Sequence, residues 1–462
     1  MPFIDTFVEE LATSLKKLNT GRGLSFAQRC WLKFCLMGVL MTNSVCWAGF
    51  ERIGLGGYRL GALSWMFRKT KIPWEKLFQA GVGHVLEQHG IRDGVLVADD
   101  SDHRRAKLTK RIFGAHKIFD KKTGGYFNGQ TVVLLVLVSG RVTIPVGFRF
   151  YRPDPVVVAW RKEDKRLKKA KVCKAERPAC PGRNPAYPSK EEGVLSMIGE
   201  FRRYHPEVKV KAVLADALYG NQPFMDQASS LCGNVQVVSQ LRGNQKIRFR
   251  NRELSLPAFF QRYPGVPQTI RRRGGERVEV IVSSARVHVC AHGKKRFVIA
   301  LKYTGETECR YLVATDLSWR TLDIVQAYTL RWLVEVFLED WKLYEGWGDL
   351  AKQPDEEGSS RGLALSLLCD HALILHPEQM ARLEDKQPAC TVGSLRDHCK
   401  SEAFLDCIRQ ILAADNPSEQ FEQLAKAVKN LFPLAPSSKH MSGRDLGRLE
   451  PTPSLQYRAA TA

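Results

Sequence analysis

Tyr328, Arg331, Glu335 and Lys342 are the residues of this chain whose types and spacing best suit chemistry. They lie in Tyr328-Thr-Leu-Arg331-Trp-Leu-Val-Glu335-Val-Phe-Leu-Glu-Asp-Trp-Lys342, whose apolar positions recur at helical spacing. At about 100° per residue the four fall at roughly 0°, 300°, 340° and 320° around a helix. One carboxylate, two cations and a phenol then share a narrow stripe. Such a stripe suits a metal beside a polyanion: the carboxylate holds the ion and the cations hold phosphates. A surface helix with charge pairs three and four residues apart has the same composition. Glu339 also falls on the stripe, at about 20°, so the helix alone does not choose between the two carboxylates.

Two further segments supply acid. Val95-Leu-Val-Ala-Asp99-Asp100-Ser101 and Val213-Leu-Ala-Asp216-Ala-Leu-Tyr219-Gly220 are short apolar runs ending in aspartate. Each reads as a buried strand whose carboxylate emerges at its C-terminal end, where open α/β sheets place their sites. Aspartate is also common in turns and helix caps, so the weight lies in two such strands together with the stripe. Asp99 and Asp100 point to opposite sides of an extended strand, so only one of them faces the site.

The spacing Tyr328, Arg331, Glu335, Lys342 resembles the YREK signature of insertion-sequence transposases of the IS-four group, which are DDE enzymes with an RNase H-like core. Asp100-Ser101 after a hydrophobic strand resembles the first aspartate motif of that family, and Leu-Ala-Asp216-Ala-Leu-Tyr-Gly the second. The resemblance spans about residues 90 to 350, in the family's order. It implies that Asp100, Asp216 and Glu335 are the catalytic metal ligands, with Asp99 the fallback for the first. It implies that Tyr328, Arg331 and Lys342 contact DNA near the scissile phosphate. Two Mg²⁺ ions, or Mn²⁺ in their place, would be held without His or Cys, since hard cations prefer oxygen donors. The enzyme would cut double-stranded DNA at the ends of its own element and pass the freed 3′-hydroxyl to target DNA, acting as a homodimer. Two other classes compete: a DNA-binding protein of the same fold without catalysis, and a structure-specific nuclease. The intact acidic set weighs against the first. The Tyr-Arg-Lys stripe and the β-rich insertion weigh against the second.

Composition agrees. The chain has 462 residues, 44% of them hydrophobic, and a formal net charge of +22. A chain of that size exceeds one typical core, and that charge excess calls for a polyanionic partner. No apolar run is long enough to span a bilayer: Phe34 to Met41 and Thr131 to Val138 are both too short. The N-terminus carries Asp5, Glu9 and Glu10 rather than a basic start and apolar core, which is the pattern of a cytoplasmic protein, nucleoid-associated when on DNA. The 12 cysteines are scattered, without a zinc-type pairing, and are expected to be free thiols. His103, close to the first aspartates, is read as a surface residue.

The elements expected to position these residues form an α/β fold: an RNase H-like mixed sheet flanked by helices, with a β-rich insertion and an N-terminal helical domain. Residues 1–88 read as helical with basic edges (Arg59, Arg68, Lys69, Lys71), a domain suited to DNA ends. Residues 89–241 and 300–370 read as the catalytic core and 242–299 as the basic insertion. Lys246, Arg248, Arg250 and Arg252 alternate there as on one face of a strand, and Arg271-Arg272-Arg273-Gly274-Gly275 reads as a hairpin tip. Arg104-Arg105-Ala-Lys107 is a basic loop after the first strand. From Arg161 to Lys190 there are eleven Lys or Arg against three acids, a helix followed by a proline-rich loop and a plausible DNA contact. Residues 371–435 read as a C-terminal helical region and 436–462 as a disordered tail.

Overall fold

The computed structural model describes residues 1–431 apart from 56, 106–111, 273–274, 349 and 351–352. Lys107, part of the expected tip at Arg273-Gly274 and the expected tail 436–462 lie outside the described residues. Five helices come first: α1 (Pro2–Leu18), α2 (Phe26–Thr42), α3 (Trp47–Ile53), α4 (Leu60–Lys69) and α5 (Trp74–Gln88). A first group of strands follows: β1 (Asp93–Arg104), β2 (His116–Phe119), β3 (Tyr126–Val138) and β4 (Thr143–Tyr151). Then come α6 (Pro155–Lys169), α7 (Lys190–Tyr204), β5 (Lys209–Ala215), α8 (Gln222–Leu231) and β6 (Gln236–Leu241).

These strands build the central sheet because their residues are apolar on both faces: Val132 to Val138 and Ala212 to Ala215 are all buried. β1 pairs antiparallel with β3, which pairs antiparallel with β4, while β5 and β6 run parallel to β1. The order β4-β3-β1-β5-β6 is the RNase H-like arrangement. Pro145, which cannot donate a ladder hydrogen bond, sits on β4 at a register shift in its pairing with β3.

The β-rich stretch extends this sheet. It comprises β7 (Lys246–Phe249), β8 (Arg252–Ser255), α9 (Leu256–Arg262), β9 (Val266–Arg271), β10 (Arg277–Val289), β11 (Lys294–Tyr303) and β12 (Arg310–Ala314). β12 pairs with β6, and β11 and β10 follow outward, giving a 12-stranded mixed sheet. The four alternating cations do not share a strand face. Arg250 and Asn251 have φ of 48° and 60° and turn the chain between β7 and β8, the left-handed pair that a two-residue hairpin turn demands. β9 and β10 do form the expected hairpin.

The last helices are α10 (Thr321–Thr329), α11 (Trp332–Tyr344), α12 (Glu356–Ile374), α13 (Pro377–Glu384), α14 (Val392–Leu412) and α15 (Pro417–Leu431). The expected single helix from Tyr328 to Lys342 is broken between α10 and α11. Leu330, Arg331, Leu333 and Val334 each donate to the carbonyl three residues back. That tighter step winds further per residue than an α-helix, so Tyr328 leaves the stripe that a uniform helix would give it. No helix among the described residues is long and apolar enough to cross a membrane, and all twelve cysteines are free.

The N-terminal helices do not form a core of their own. Ile4, Leu11, Trp31, Val39, Phe50 and Phe67 share one buried cluster with Leu365, Leu368, Cys369 and Ala372 of α12 and Leu395 of α14. α5 meets α12 so closely that a Cβ on Gly81 would stand 2.7 Å from Nδ1 of His371 and 2.8 Å from Cδ2 of Leu368. A fragment beginning at Gly94 would bare the α12 leucines, each worth roughly 1.5–3 kcal/mol of burial. We expect that fragment to aggregate and Gly81→Val to lower the melting temperature of the full chain by several degrees. A soluble fragment with a cooperative melt would show that the helical layer is dispensable.

Candidate functional site

The pairing of β1 with β5 ends at Ala98 opposite Ala215. Asp99 and Asp216 are the next residues on the two strands, so the sheet delivers two carboxylates side by side where its parallel ladder stops. β1 itself continues to Arg104, paired only with β3. Asp216 is held by its neighbours. Its carboxylate accepts from the Leu218 amide at 2.8 Å, and its carbonyl accepts from Oγ of Ser239 on β6 at 2.6 Å. Gly220 lets that turn lie against β6, since a Cβ there would collide with the Gln240 carbonyl.

Asp99 and Asp100 face opposite ways. Oδ2 of Asp99 stands 3.0 Å from Nη1 of Arg331, whose Nη2 bonds Oε1 of Glu335. Oδ2 of Asp100 stands 2.5 Å from Nζ of Lys190, the first residue of α7. α11 and α7 therefore approach β1 from opposite faces. The structure brings Asp99, not Asp100, to the cation that Glu335 uses. The reason is the two-residue period of the strand combined with the side on which α11 lies. Glu335 is half-buried and Glu339 exposed, a distinction that the angular positions alone did not make.

The remaining residues of the stripe separate. Lys342 lies beside β1 with Nζ 3.4 Å from the Asp102 carbonyl. Tyr328 is buried, and its hydroxyl donates to the carbonyl of Ala215 at 3.3 Å. The phenol thus braces the end of β5. Arg105 closes the far end, donating to Gln130 at 2.7 Å and to the Gly348 and Trp347 carbonyls at 2.8 and 3.2 Å. His103 packs its ring against Trp347 at 5.7 Å. Lys190 was not singled out from the sequence. Ser189 and Glu192 form a capping box that marks the start of α7, but only the sheet topology aims its first residue at Asp100.

The charges respond to this crowding. Burial pushes the Asp99 carboxyl up to about 7, Arg331 pulls it back, and Asp216 and Asp100 push it further. Burial also raises Asp100, against the pull of Lys190. Burial lowers Lys342. Among the described residues no three His, Cys, Asp or Glu side chains are arranged ready to hold a metal ion. The Arg331 guanidinium stands between Asp99 and Glu335, a resident positive charge where two carboxylates converge. The carboxylates of Asp99, Asp216 and Glu335 offer only oxygen, the donor type that hard divalent cations take.

A pH dependence follows from Asp99. Between the ordinary value of 3.8 and about 7, the folded chain keeps a proton that the unfolded chain has released. The stability tied to this proton is full below 3.8 and is lost as pH rises through about 7. Denaturant unfolding at about pH 5 and about pH 8 should show the wild type losing more stability than Asp99→Asn across that window. Equal losses would mean that Asp99 is ionised throughout.

The family described as DDE superfamily endonuclease matches residues 25–289. That span takes in Asp99, Asp100 and Asp216 and ends before Glu335. No curated protein matches the chain. A match over more than half of the sequence, on a mixed sheet that sets two aspartates at the ends of adjacent parallel strands, shows that the chain belongs to the DDE superfamily endonucleases.

Proposed function

We propose that this chain is a transposase that cuts DNA at the ends of its own insertion element and joins the freed ends to target DNA. Its family carries a nuclease-type activity on DNA that generally needs divalent metal. The observation that carries the finer reading is the convergence of Asp99, Asp216 and Glu335 with Arg331 and Lys342 at one end of the sheet. The spacing of the last three residues, with Tyr328, resembles the YREK signature. A pair of Mg²⁺ ions would supply an activated attacking oxygen and charge neutralisation at the leaving oxygen.

The chain's own residues do the rest. Asp216 and Glu335 are the second and third ligands. The first comes from Asp99-Asp100. The motif favours Asp100, whereas the shared contact with Arg331 supports Asp99, and we assign it to Asp99. Asp100 with Lys190 then steadies β1 from the opposite face. Arg331 and Lys342 hold phosphates beside the cut, and Tyr328 fixes the strand end that carries Asp216. Two ends must be cut, so two copies act on the DNA.

The test is incubation with DNA carrying the flanks of its own gene, with and without Mg²⁺, and sequencing of the products. Cut ends joined to new DNA support transposition, while cut ends alone would leave a nuclease. Glu335→Gln and Asp99→Asn should abolish cutting without loss of DNA binding, while Glu339→Gln keeps it. A dead Asp100→Asn beside an active Asp99→Asn would move the first ligand to Asp100. Arg331→Ala and Lys342→Ala should each flatten the salt dependence of DNA binding by about one unit. An unchanged slope would give them a purely structural role.

A further inference from the structure

Between Tyr151 at the end of β4 and Lys190 at the start of α7, the chain leaves the sheet as an arm that packs mainly on itself. α6 forms its outgoing half, opened by Asp154, whose side chain accepts from the Val156 amide at 2.8 Å. The returning loop lies along α6: Trp160 donates to the Pro178 carbonyl at 2.8 Å, and Arg177 pairs with Asp164 at 2.8 Å. At the root, the Arg152 guanidinium sits 4.5 Å from the centre of the Tyr187 ring and ties the two halves together.

The faces of α6 differ sharply. Val157, Trp160, Glu163, Asp164 and Leu167 are the partly covered positions, spaced three and four apart, and no residue of the helix is fully buried. Arg161, Lys162, Lys165, Lys168 and Lys169 are all exposed. Taking Arg161 as 0°, at about 100° per residue Lys165 falls near 40°, Lys168 near 340°, Lys169 near 80° and Lys162 near 100°. Five cations thus occupy about a third of the helix circumference; Arg161 borders a cavity shared with Arg183, Asn184 and Tyr187 of the returning loop, and the four lysines do not line it. Among the described residues none of the five is within ion-pair distance of an acid. Acids are present on α6, but Glu163 pairs with Arg166 and Asp164 with Arg177.

An unpaired basic face on a helix that covers no core has no folding role. Like charges this dense repel one another and cost stability unless a polyanion neutralises them. Its place is equally specific: the arm returns to the sheet at Lys190, whose ammonium touches Asp100 at 2.5 Å. The root of the arm therefore meets the acidic strand on the face opposite Arg331 and Glu335.

We propose that α6 is a clamp for the phosphate backbone of duplex DNA, binding without regard to sequence through Arg161, Lys162, Lys165, Lys168 and Lys169. The proposal rests on the reading that the acidic site acts on DNA. It adds a second binding surface, on an element apart from the carboxylates and from Arg331 and Lys342. Phosphate contacts position a duplex and carry no base readout, so the clamp contributes affinity and orientation, while choice of site lies elsewhere.

The experiment compares the full-length wild type with a variant combining Lys162→Gln, Lys165→Gln, Lys168→Gln and Lys169→Gln. Binding to a random-sequence DNA duplex is measured across a salt series with Ca²⁺ in place of Mg²⁺. The four side chains are exposed and repel one another, so the variant should melt at or slightly above the wild-type temperature. The salt slope should flatten by about 3 to 4 units, at about 0.9 for each phosphate no longer neutralised. Arginine at the same four positions should restore the wild-type slope, whereas a merely structural effect would not track charge. An unchanged slope in a variant whose wild type binds duplex would overturn the clamp and leave the nuclease reading standing. A wild type that binds no duplex at all would overturn that reading and the clamp with it. Tighter binding of RNA than of DNA, abolished in the variant, would overturn the assignment of the partner.

Discussion

Carboxylates gathered at one end of a buried sheet repel one another, and the organisation of this protein is a response to that repulsion. Asp99, Asp100, Asp216 and Glu335 come from three separate stretches of chain, and two of them are pushed toward the neutral form by burial. Removing ions from water is costly unless opposite charge replaces the lost hydration. Two cations provide it from opposite faces, Arg331 between Asp99 and Glu335, and Lys190 at Asp100. Each cation sits at the first turn of a helix that the sheet positions. The acidic site and the packing of α7 and α11 are therefore one electrostatic arrangement, in which a bound divalent ion would compete with Arg331 for the same carboxylates.

That arrangement needs a rigid support, since small misplacements of ligating groups are costly. Rigidity comes from long-range packing. β1 is flanked by β3 and β5, the β7–β12 stretch widens the sheet, and the first five helices close over α12. Arg105 and Lys342 join the ends of β1 and α11 across more than two hundred residues of sequence. By contrast, the α6 arm is anchored mainly at its own root and by its returning loop. The molecule thus pairs a fixed acidic centre with a projecting basic surface, the division expected where one part acts on a phosphodiester and another holds the polymer.

The local elements were mostly legible in the sequence. The two apolar runs ending in Asp99-Asp100 and Asp216 are strands, the β9–β10 hairpin forms, and the first part of the basic segment from Arg161 is helical, because hydrophobic period and turn residues act over a few residues. The amphipathic stretch through Glu335 was legible as helix but not its break at Leu330-Arg331. The tighter hydrogen bonding there leaves the apolar pattern nearly unaltered while rotating Tyr328 away. The turn at Arg250-Asn251 was hidden for a similar reason: alternating cations have a strand's period whether or not the chain reverses between them.

By itself, then, the sequence determined which residues could carry the chemistry: the aspartates at strand ends, the Glu335 stripe and the excess of basic charge. Only the tertiary structure decided how they meet. The choice between Asp99 and Asp100 is a choice of sheet face, and the face is set by where α11 lies, which is settled hundreds of residues away. The partnership of Lys190 with Asp100, the burial of Tyr328 under β5 and the shared core of α1–α5 with α12 are decided in the same way. Periodicity and capping act between near neighbours, while charge pairing and burial depend on distances in space that only the packed sheet brings into range.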